Sequence, residues 1–212
     1  YGIDARLREA LRASGEVEAS QLAERAFARA TGAELVGGNA VRILRDAEEH
    51  FPAWLEAIRS AEDVIYLESY IIADDRIGRM FVDALAERAR RGVEVYVLYD
   101  WLGSLRSRFL WKPLLDAGAE VRPFNPFRFD EPFVWTMRDH RKMLAVDGRV
   151  GYVTGLCLSS KWCGDPAKGI EPWRDTGIEI RGPAVLELEA AFARAWMASG
   201  AESPPLRVPD RR

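Results

Sequence analysis

The chain is poor in several residue types and patterns, and each shortage excludes a class of protein. Its two cysteines, Cys157 and Cys163, are too few for a disulfide framework and are typical of a reducing compartment. No run of about 18 consecutive apolar residues occurs, so no segment is predicted to cross a membrane as a helix. The charged N-terminal residues lack the apolar core of a secretory signal.

An excess of positive charge is also missing. The 212 residues carry a formal net charge of -3, which argues against a globally basic nucleic-acid-binding protein but does not exclude a local basic patch. The length is sufficient for one large domain or two small ones with a substantial core. Because the chain begins with Tyr1 rather than Met, we expect it to be a piece of a longer protein.

Alternating strand and helix patterns predict an α/β fold. Strands rich in β-branched and aromatic residues are predicted at 41–46, 63–72, 93–100, 119–124 and 176–182, with a hairpin in 140–160 that turns at 147–149. Helices are predicted at 3–13, 18–30, 50–61, 76–92, 105–117 and 183–200. Strands separated by helices form layered sheets, so we expect a central mixed β-sheet flanked by helices.

The domain organisation follows from the same patterns. Residues 1–31 are predicted to be an N-terminal helical segment, and residues 32–200 the main domain. The polar, Pro-rich residues 201–212 are predicted to be a linker or a disordered tail.

One of the two histidines stands in a chemically suggestive pattern. His140 and Lys142 are two residues apart, so their side chains share a face if a strand already runs there. An imidazole beside an ammonium suits a phosphate, because lysine supplies positive charge and histidine can act as nucleophile or proton donor. Asp147 precedes Gly148, where aspartate is also simply a good turn residue. The spacing alone fits a structural histidine as well as a catalytic one.

The wider pattern resembles a known family. His140-x-Lys142-x4-Asp147, followed by Thr154 and Gly155, resembles the HxKx4D signature of the phospholipase D superfamily. The surrounding segments resemble the bacterial cardiolipin synthase branch of this superfamily in particular; these are residues 33–72, 91–104, 140–156 and 173–185. The resemblance extends over residues 30–200 and implies the phospholipase D-like layered α/β fold.

The resemblance implies a role for each matching position. His140 would be the nucleophile, or the acid, of a phosphohistidine mechanism, and Lys142 would bind the phosphate. Asp175 matches the carboxylate that accepts the hydrogen of the other ring nitrogen and stabilises the cationic ring. In its sequence context alone, Asp175 fits a solvated acid at a strand edge better, and the resemblance reverses that order. Asp147 completes the catalytic set and is expected to support the hairpin.

Cys157 departs from the family pattern, which usually has an asparagine there whose amide helps to hold the phosphate. A thiol is a weak donor, and loss of one donor at comparable oxyanion sites costs ~10²–10³ in rate. We therefore expect a slow or non-catalytic site, in which the hydroxyl of Thr154 compensates in part. Thr154, Gly155 and Cys157 form the expected substrate-binding set. Neither cysteine is spaced as a metal ligand with a histidine, and the implied chemistry needs no metal or cofactor.

Aromatic residues are concentrated ahead of the motif. Of the nine Phe and seven Trp residues, eight lie between residues 101 and 135, interleaved with Lys and Arg. Such a segment, above all 124–135, suits a lipid–water interface, stacking on single-stranded nucleic acid, or packing in the core. The net acidity and the family resemblance favour a phospholipid substrate and a peripheral membrane surface over nucleic acid.

The family builds its site from two motifs that face each other across a pseudo-twofold axis, and this chain has one. His50 has no lysine two residues on, so it is not a second motif. The resemblance therefore implies either a symmetric homodimer or a second HxKx4D half outside this chain. We expect an enzyme with cardiolipin synthase-type phosphatidyltransferase chemistry, cytoplasmic or peripheral at the inner face of the membrane. The alternatives are a nuclease or other phosphodiesterase on the same fold, and a non-catalytic half that binds lipid or a partner.

Overall fold

The computed structural model describes residues 16–31, 36–127, 129 and 137–206. The chain divides into two units, Tyr1–Gly37 and Gly38–Arg212, which places the boundary a few residues after the one predicted from sequence. The first unit contains helix α1 (Glu16–Thr31), which confirms the helix predicted at 18–30. The helix predicted at 3–13 lies outside the described residues.

The described part of the second unit is a seven-stranded mixed sheet with helices on both faces, as predicted. Its elements are β1 (Ala40–Arg45), α2 (Asp46–Ser60), β2 (Val64–Ser69), α3 (Arg76–Arg90), β3 (Glu94–Asp100), α4 (Lys112–Asp116), β4 (Glu120–Phe124), β5 (Lys142–Val146), β6 (Val150–Val153), β7 (Thr176–Arg181) and α5 (Ala184–Ala198). The strand order is β1-β7-β6-β5-β2-β3-β4. β2, β3 and β4 are parallel, and the other neighbouring strands are antiparallel. No helix among the residues described above is long and apolar enough to cross a membrane.

Side-chain alternation along the strands produces two apolar layers. In β2, Ile65 and Leu67 face the layer that α2, α3 and α4 cover. Tyr66 points to the opposite face, where its ring lies 5.0 Å from that of Phe192 in α5. Among the described helices of the second unit, α5 therefore covers one face of the sheet, and α2, α3 and α4 cover the other.

The strand ends around the HxK motif meet at one edge of the sheet, which we call the site edge. β2, β3 and β4 end there, at Ser69, Asp100 and Phe124. β5 begins there, because Lys142 is paired with Ser69 in the antiparallel register. β6 ends at this edge, and β7 begins there with Thr176. Ligands bind beyond the carboxyl ends of strands in sheets of this type, so the topology gathers the candidate residues at a suitable edge.

The helix predicted at 105–117 is largely wrong. The structure has a single 3₁₀ turn at Leu105–Ser107 and then the short α4. The Asp100 carboxylate accepts the backbone N–H groups of Leu102 and Gly103, which holds the chain in a turn directly after β3. Pro113 has no N–H to donate, so it suits the first turn of α4 and not the interior of a longer helix.

Residues 201–206, the start of the segment predicted as a linker or disordered tail, contact the sheet of the second unit at Tyr66. The hydroxyl of Tyr66 donates to the carbonyl oxygen of Pro205, and Pro204 is buried. Residues 201–206 therefore belong to the folded structure, because they supply the hydrogen-bond acceptor that a buried tyrosine hydroxyl needs. The remainder of the predicted tail lies outside the described residues.

Candidate active site

The motif segment, residues 138–142, is fixed to the end of β3 by a buried acid. Asp100 is fully buried, and its carboxylate accepts the backbone N–H of Asp139 at 3.0 Å. The same carboxylate accepts a guanidinium N–H of Arg138 at 3.1 Å. Together with the Leu102 and Gly103 amides, these donors satisfy a charge that would otherwise be costly to bury.

A second buried acid holds the segment to β2. The Nε of Arg141 donates to Oε1 of Glu68 at 2.7 Å, and the Arg141 guanidinium also donates to the carbonyl of Ala191 in α5. Burial, together with the neighbouring Asp139, raises the pKa of Glu68 to about 9. We refer to Glu68, Asp100, Arg138, Asp139 and Arg141 as the anchor cluster. It holds Arg138, Asp139 and Arg141 of the motif segment in place on both sides of His140.

His140 and Lys142 leave this segment on the other side and meet the ring of Tyr70. The His140 imidazole is exposed, and its centroid is 4.7 Å from that of the Tyr70 ring. Lys142 is 4% exposed, and its Nζ lies 5.2 Å from the Tyr70 ring centroid and donates to the carbonyl of His140. Burial lowers the pKa of Lys142, while Cys157, Asp139 and Asp175 oppose that shift. The site thus combines an accessible imidazole with a partly desolvated ammonium.

Asp175 lies against the turn that follows β6. Its Oδ1 accepts the backbone N–H of Gly155 at 3.0 Å and the hydroxyl of Thr154 at 3.2 Å. A Cβ on residue 155 would come within 2.2 Å of Oδ2 of Asp175, so only glycine allows this approach. Among the described residues, His140 and Asp175 form no hydrogen bond with each other, and Asp175 acts instead through its charge near Lys142.

The backbone of Asp175 is held by the start of α2. The N–H of Asp46 donates to the Asp175 carbonyl at 3.0 Å, and the N–H of Asp175 donates to Oδ1 of Asp46 at 2.8 Å. His50 lies one turn along α2, fully buried, with Nδ1 2.7 Å from the Asp46 carbonyl. His50 therefore has a structural position under the site, which agrees with its exclusion as a second motif.

Cys157 lies in the same group of residues. It is 2% exposed, and burial raises the pKa of its thiol, an effect that the nearby Lys142 opposes. The structure thus brings Lys142, Thr154, Gly155, Cys157 and Asp175 together around one point of the site edge. A neutral thiol there donates only weakly to an anion.

Asp147 is the member of the predicted catalytic set that lies elsewhere. It follows β5 at the opposite edge of the sheet, ~16 Å from Lys142 at about 3.3 Å per residue. Its buried carboxylate accepts the backbone N–H groups of Glu62, Asp63 and Val64 at 2.8, 2.9 and 2.8 Å. Asp147 therefore fixes the start of β2 against the hairpin turn and does not reach a bound substrate.

Several residues of the site were not predicted from the sequence: Tyr70, and all five residues of the anchor cluster. The available signal was an acid in the last two positions of a buried strand, at Glu68 and Asp100. A charged side chain there needs a partner, and the basic residues that flank His140 are suitable partners. The sequence alone does not show which residues 38 or 73 positions away face these acids.

Comparison with known proteins identifies relatives. Residues 54–196 match the family described as "Cardiolipin synthase, PLD-like domain", where PLD denotes phospholipase D. The chain is 36% identical over 178 residues to cardiolipin synthase A of Pseudomonas fluorescens, a match that covers 82% of this chain and 37% of that protein. It is 39% identical over 160 residues to a cardiolipin synthase of Halalkalibacterium halodurans, covering 73% of this chain and 31% of that protein. The chain thus spans well under half the length of these relatives.

Solved structures agree at the level of the fold. Nuc, a phospholipase D family member from Salmonella typhimurium, has a TM-score of 0.56 and 18% identity, covering 81% of this chain and 100% of Nuc. Phosphatidylserine synthase of Haemophilus influenzae has a TM-score of 0.56 and 18% identity, covering 81% of this chain and 40% of that one. The family match covers more than half of the chain and confirms the resemblance seen in the sequence. The chain belongs to the PLD-like domain family of the cardiolipin synthases.

Proposed function

We propose that this chain supplies one HxKx4D half of a phosphatidyltransferase site that acts on phospholipid phosphodiesters through a phosphohistidine. One observation carries the proposal: the exposed imidazole of His140 and the buried ammonium of Lys142 meet at Tyr70 on the site edge. A phosphodiester needs a nucleophile and a cation at the same place. The cardiolipin synthase relatives support phospholipid as the substrate class.

In the first step, a ring nitrogen of His140 attacks phosphorus, and a P–N bond forms as the bond to the leaving alcohol breaks. The leaving oxygen takes its proton from an acid supplied by a second motif. Lys142 stabilises the negative charge on the non-bridging oxygens. Burial lowers the pKa of Lys142, and an arriving anion favours the charged form again.

In the second step, an acceptor alcohol attacks the phosphohistidine, and its proton passes to the group that protonated the leaving alcohol. Asp175 is proposed to accept the hydrogen of the other His140 nitrogen, which stabilises the cationic ring. Gly155 and Thr154 both donate to Oδ1 of Asp175. Oδ2 accepts no hydrogen bond from the described residues, so it is the oxygen proposed for His140.

An exposed apolar rim around the site edge supports a lipid surface as the partner. Leu105 and Phe109 follow β3, Phe127 and Phe129 follow β4, and Met137 precedes β5, and all five side chains are exposed. Exposed apolar groups grouped at one edge are typical of a membrane-facing surface. We propose that this rim brings the site to the headgroup region of a bilayer.

A non-catalytic half that binds lipid is the second candidate, and Cys157 is the observation that favours it. A thiol lies beside Lys142 where the family usually has an amide donor. Lipid binding would then survive while turnover is lost.

The test is detection of the covalent intermediate. The protein is incubated with a labelled short-chain phosphatidyl substrate, quenched, and searched by mass spectrometry for an acid-labile, alkali-stable adduct. We expect the adduct on His140 and its absence from a folded His140→Ala variant. Turnover without an adduct on His140 would remove this residue as the nucleophile. Vesicle binding without turnover, in the presence of a second-motif half, would favour the non-catalytic candidate.

A further inference from the structure

Two buried carboxyl groups of the anchor cluster each have one oxygen without a donor. Among the residues that the structure describes, Oε2 of Glu68 and Oδ2 of Asp139 accept no hydrogen bond. Glu68 is fully buried, and Asp139 is 7% exposed. An ionised carboxylate oxygen at such a depth is costly unless a proton or a donor satisfies it.

The two carboxyl groups lie at the same guanidinium. The Nε of Arg141 is 2.7 Å from Oε1 of Glu68 and 3.6 Å from Oδ1 of Asp139. The side chains of Glu68 and Asp139 are also close enough to form a hydrogen bond with each other. Each group therefore presents one oxygen to Arg141 and keeps its other oxygen unsatisfied.

The charges of the cluster give a second, independent argument. Among the described residues, the three carboxyl groups of Glu68, Asp100 and Asp139 pair with two guanidinium groups, those of Arg138 and Arg141. Extending the count to Lys142 and Asp175 adds one cation and one carboxylate, so an excess of one acid remains. A single proton on one of these acids makes the cluster neutral.

We propose that Glu68 and Asp139 share one proton at neutral pH, and that the neutral cluster formed in this way positions His140 and Lys142. The proton lies between Oε2 of Glu68 and Oδ2 of Asp139, so one hydrogen bond satisfies both oxygens. Its residence is mainly on Glu68, the more deeply buried of the two. The positioning role rests on the proposed function, whereas the shared proton does not.

The surroundings of Glu68 favour the protonated form. Its strand neighbours, Leu98 on β3 and Met143 on β5, are apolar. The charged groups that act on it are Asp139, which raises its pKa, and Arg141, which lowers it. In α5, the Ala191 carbonyl accepts a hydrogen bond from Arg141. Burial is the largest cause, and the resulting pKa of Glu68 is about 9.

Loss of this proton affects the motif segment directly. Two ionised carboxylates would then face each other, and Asp139 is the residue immediately before His140. The Asp139 N–H donates to Asp100, so displacement of Asp139 breaks the bond that fixes the segment to β3. Glu68 and Asp139 are therefore positioning residues, which act on the site through His140 and Lys142.

The decisive measurement is the infrared carbonyl stretch of a protonated carboxyl group at pH 7. We expect this band in the wild-type protein, its loss as pH rises through about 9, and its absence from Glu68→Gln. Glu56→Gln removes an exposed acid of α2 and serves as the control that keeps the band. Absence of the band from wild-type protein at pH 7 would overturn the proposal, whatever the variants do.

The positioning role has its own readout, the pH profile of phosphodiester turnover. Glutamine keeps an acceptor for Arg141 and gives Asp139 a permanent donor, so Glu68→Gln should retain turnover and extend it to higher pH. An unchanged alkaline limb would remove the positioning role. If the proposed function is wrong, neither the wild-type protein nor the variants show turnover, but the infrared band is still present at pH 7. If the shared proton is absent, the band is missing whether or not turnover occurs, so the two outcomes are distinguishable.

Discussion

Two residues of the site, Lys142 and Cys157, are buried, and burial disfavours the charged form of each side chain. Burial lowers the pKa of Lys142 and raises the pKa of Cys157, so each group is biased toward its neutral form. The two groups are close enough to oppose each other's shifts. The negative charge of an arriving substrate phosphate therefore stabilises the ammonium form of Lys142. The neighbouring thiol of Cys157 donates only a weak hydrogen bond to that phosphate.

Cys157→Asn should make the site faster. The amide supplies the strong donor that the thiol lacks, and one such donor is worth up to ~10²–10³ in rate. The measurement is kcat on a short-chain phospholipid, with any second-motif half that turnover requires present in excess.

Matched variants make this result interpretable. Cys157→Ser tests a small hydroxyl donor at the same place, and Cys163→Asn places the same amide at a cysteine that is not in contact with Lys142. An equal or lower rate for a folded Cys157→Asn protein would show that position 157 does not contact the phosphate.

At the residue scale, the sequence predicted candidate members of the site but not the residues that support them. His140, Lys142 and Asp175 could be predicted from spacing and family resemblance. Glu68 and Asp139 could not, because an acidic residue only interrupts the apolar pattern of a strand as long as its cationic partner is unknown. Which cation faces it depends on sheet order, a long-range property that local patterns do not contain.

At the scale of elements, the connections at the site edge carry the apolar surface, while helices and strands carry the core. Trp111 is buried and stacks on Tyr99 at 4.2 Å, so it belongs to the core. Phe127 and Phe129, by contrast, are 41% and 91% exposed and contact each other edge to face at 5.0 Å. The aromatic segment noted in the sequence therefore contains both core residues and rim residues.

Phe127→Ser with Phe129→Ser should weaken binding to anionic vesicles and leave thermal stability unchanged. Each ring that enters a bilayer contributes roughly 1.5–3 kcal/mol of apolar transfer, so a large drop in partitioning is expected. Co-sedimentation with vesicles and a thermal melt measure the two quantities. Leu115→Ser is the control, because Leu115 is also exposed (55%) but lies on α4, away from the site edge. Unchanged vesicle binding would exclude the rim as a membrane contact.

Elements were predictable where periodicity and packing agree. The central strands and the amphipathic helices bury their apolar side chains in the two layers. In β1, by contrast, Val41 and Ile43 are exposed although the strand itself was predicted. The 105–117 region is different, because a side chain outside it, the Asp100 carboxylate, sets its backbone. Local propensity does not show such a competitor, and the predicted long helix was wrong for that reason.

At the scale of the whole molecule, the proposed mechanism needs a second motif histidine, which protonates the leaving alcohol. The described site contains one exposed histidine, and the chain covers 37% of the length of a cardiolipin synthase relative. We propose that each working site takes a His140-type residue from two motifs, supplied by a second half or by a second copy of this chain.

Mixing wild-type chains with His140→Ala chains separates these arrangements. If two copies form the site, random pairing at equal amounts should leave about one quarter of the wild-type turnover, since only wild-type pairs are complete. Turnover proportional to the wild-type fraction would show that a single chain suffices. No turnover at any ratio, with recovery on addition of a second-motif half, would assign the second histidine to that half.

The pairing of β1 with β7 has a consequence for how this protein is made. β1 lies at the edge of the described sheet, and its one neighbour among the described strands is β7. Of the described strands, β1 is synthesised first and β7 last, so β1 has no strand to pair with until β7 has been made. Asp46, directly after β1, likewise waits for Asp175 to supply its backbone partner. A ribosome that stops between residues 148 and 174 releases a chain with a complete HxKx4D motif and an unfinished site. The strand that completes the sheet therefore also completes this chain's own part of the candidate site.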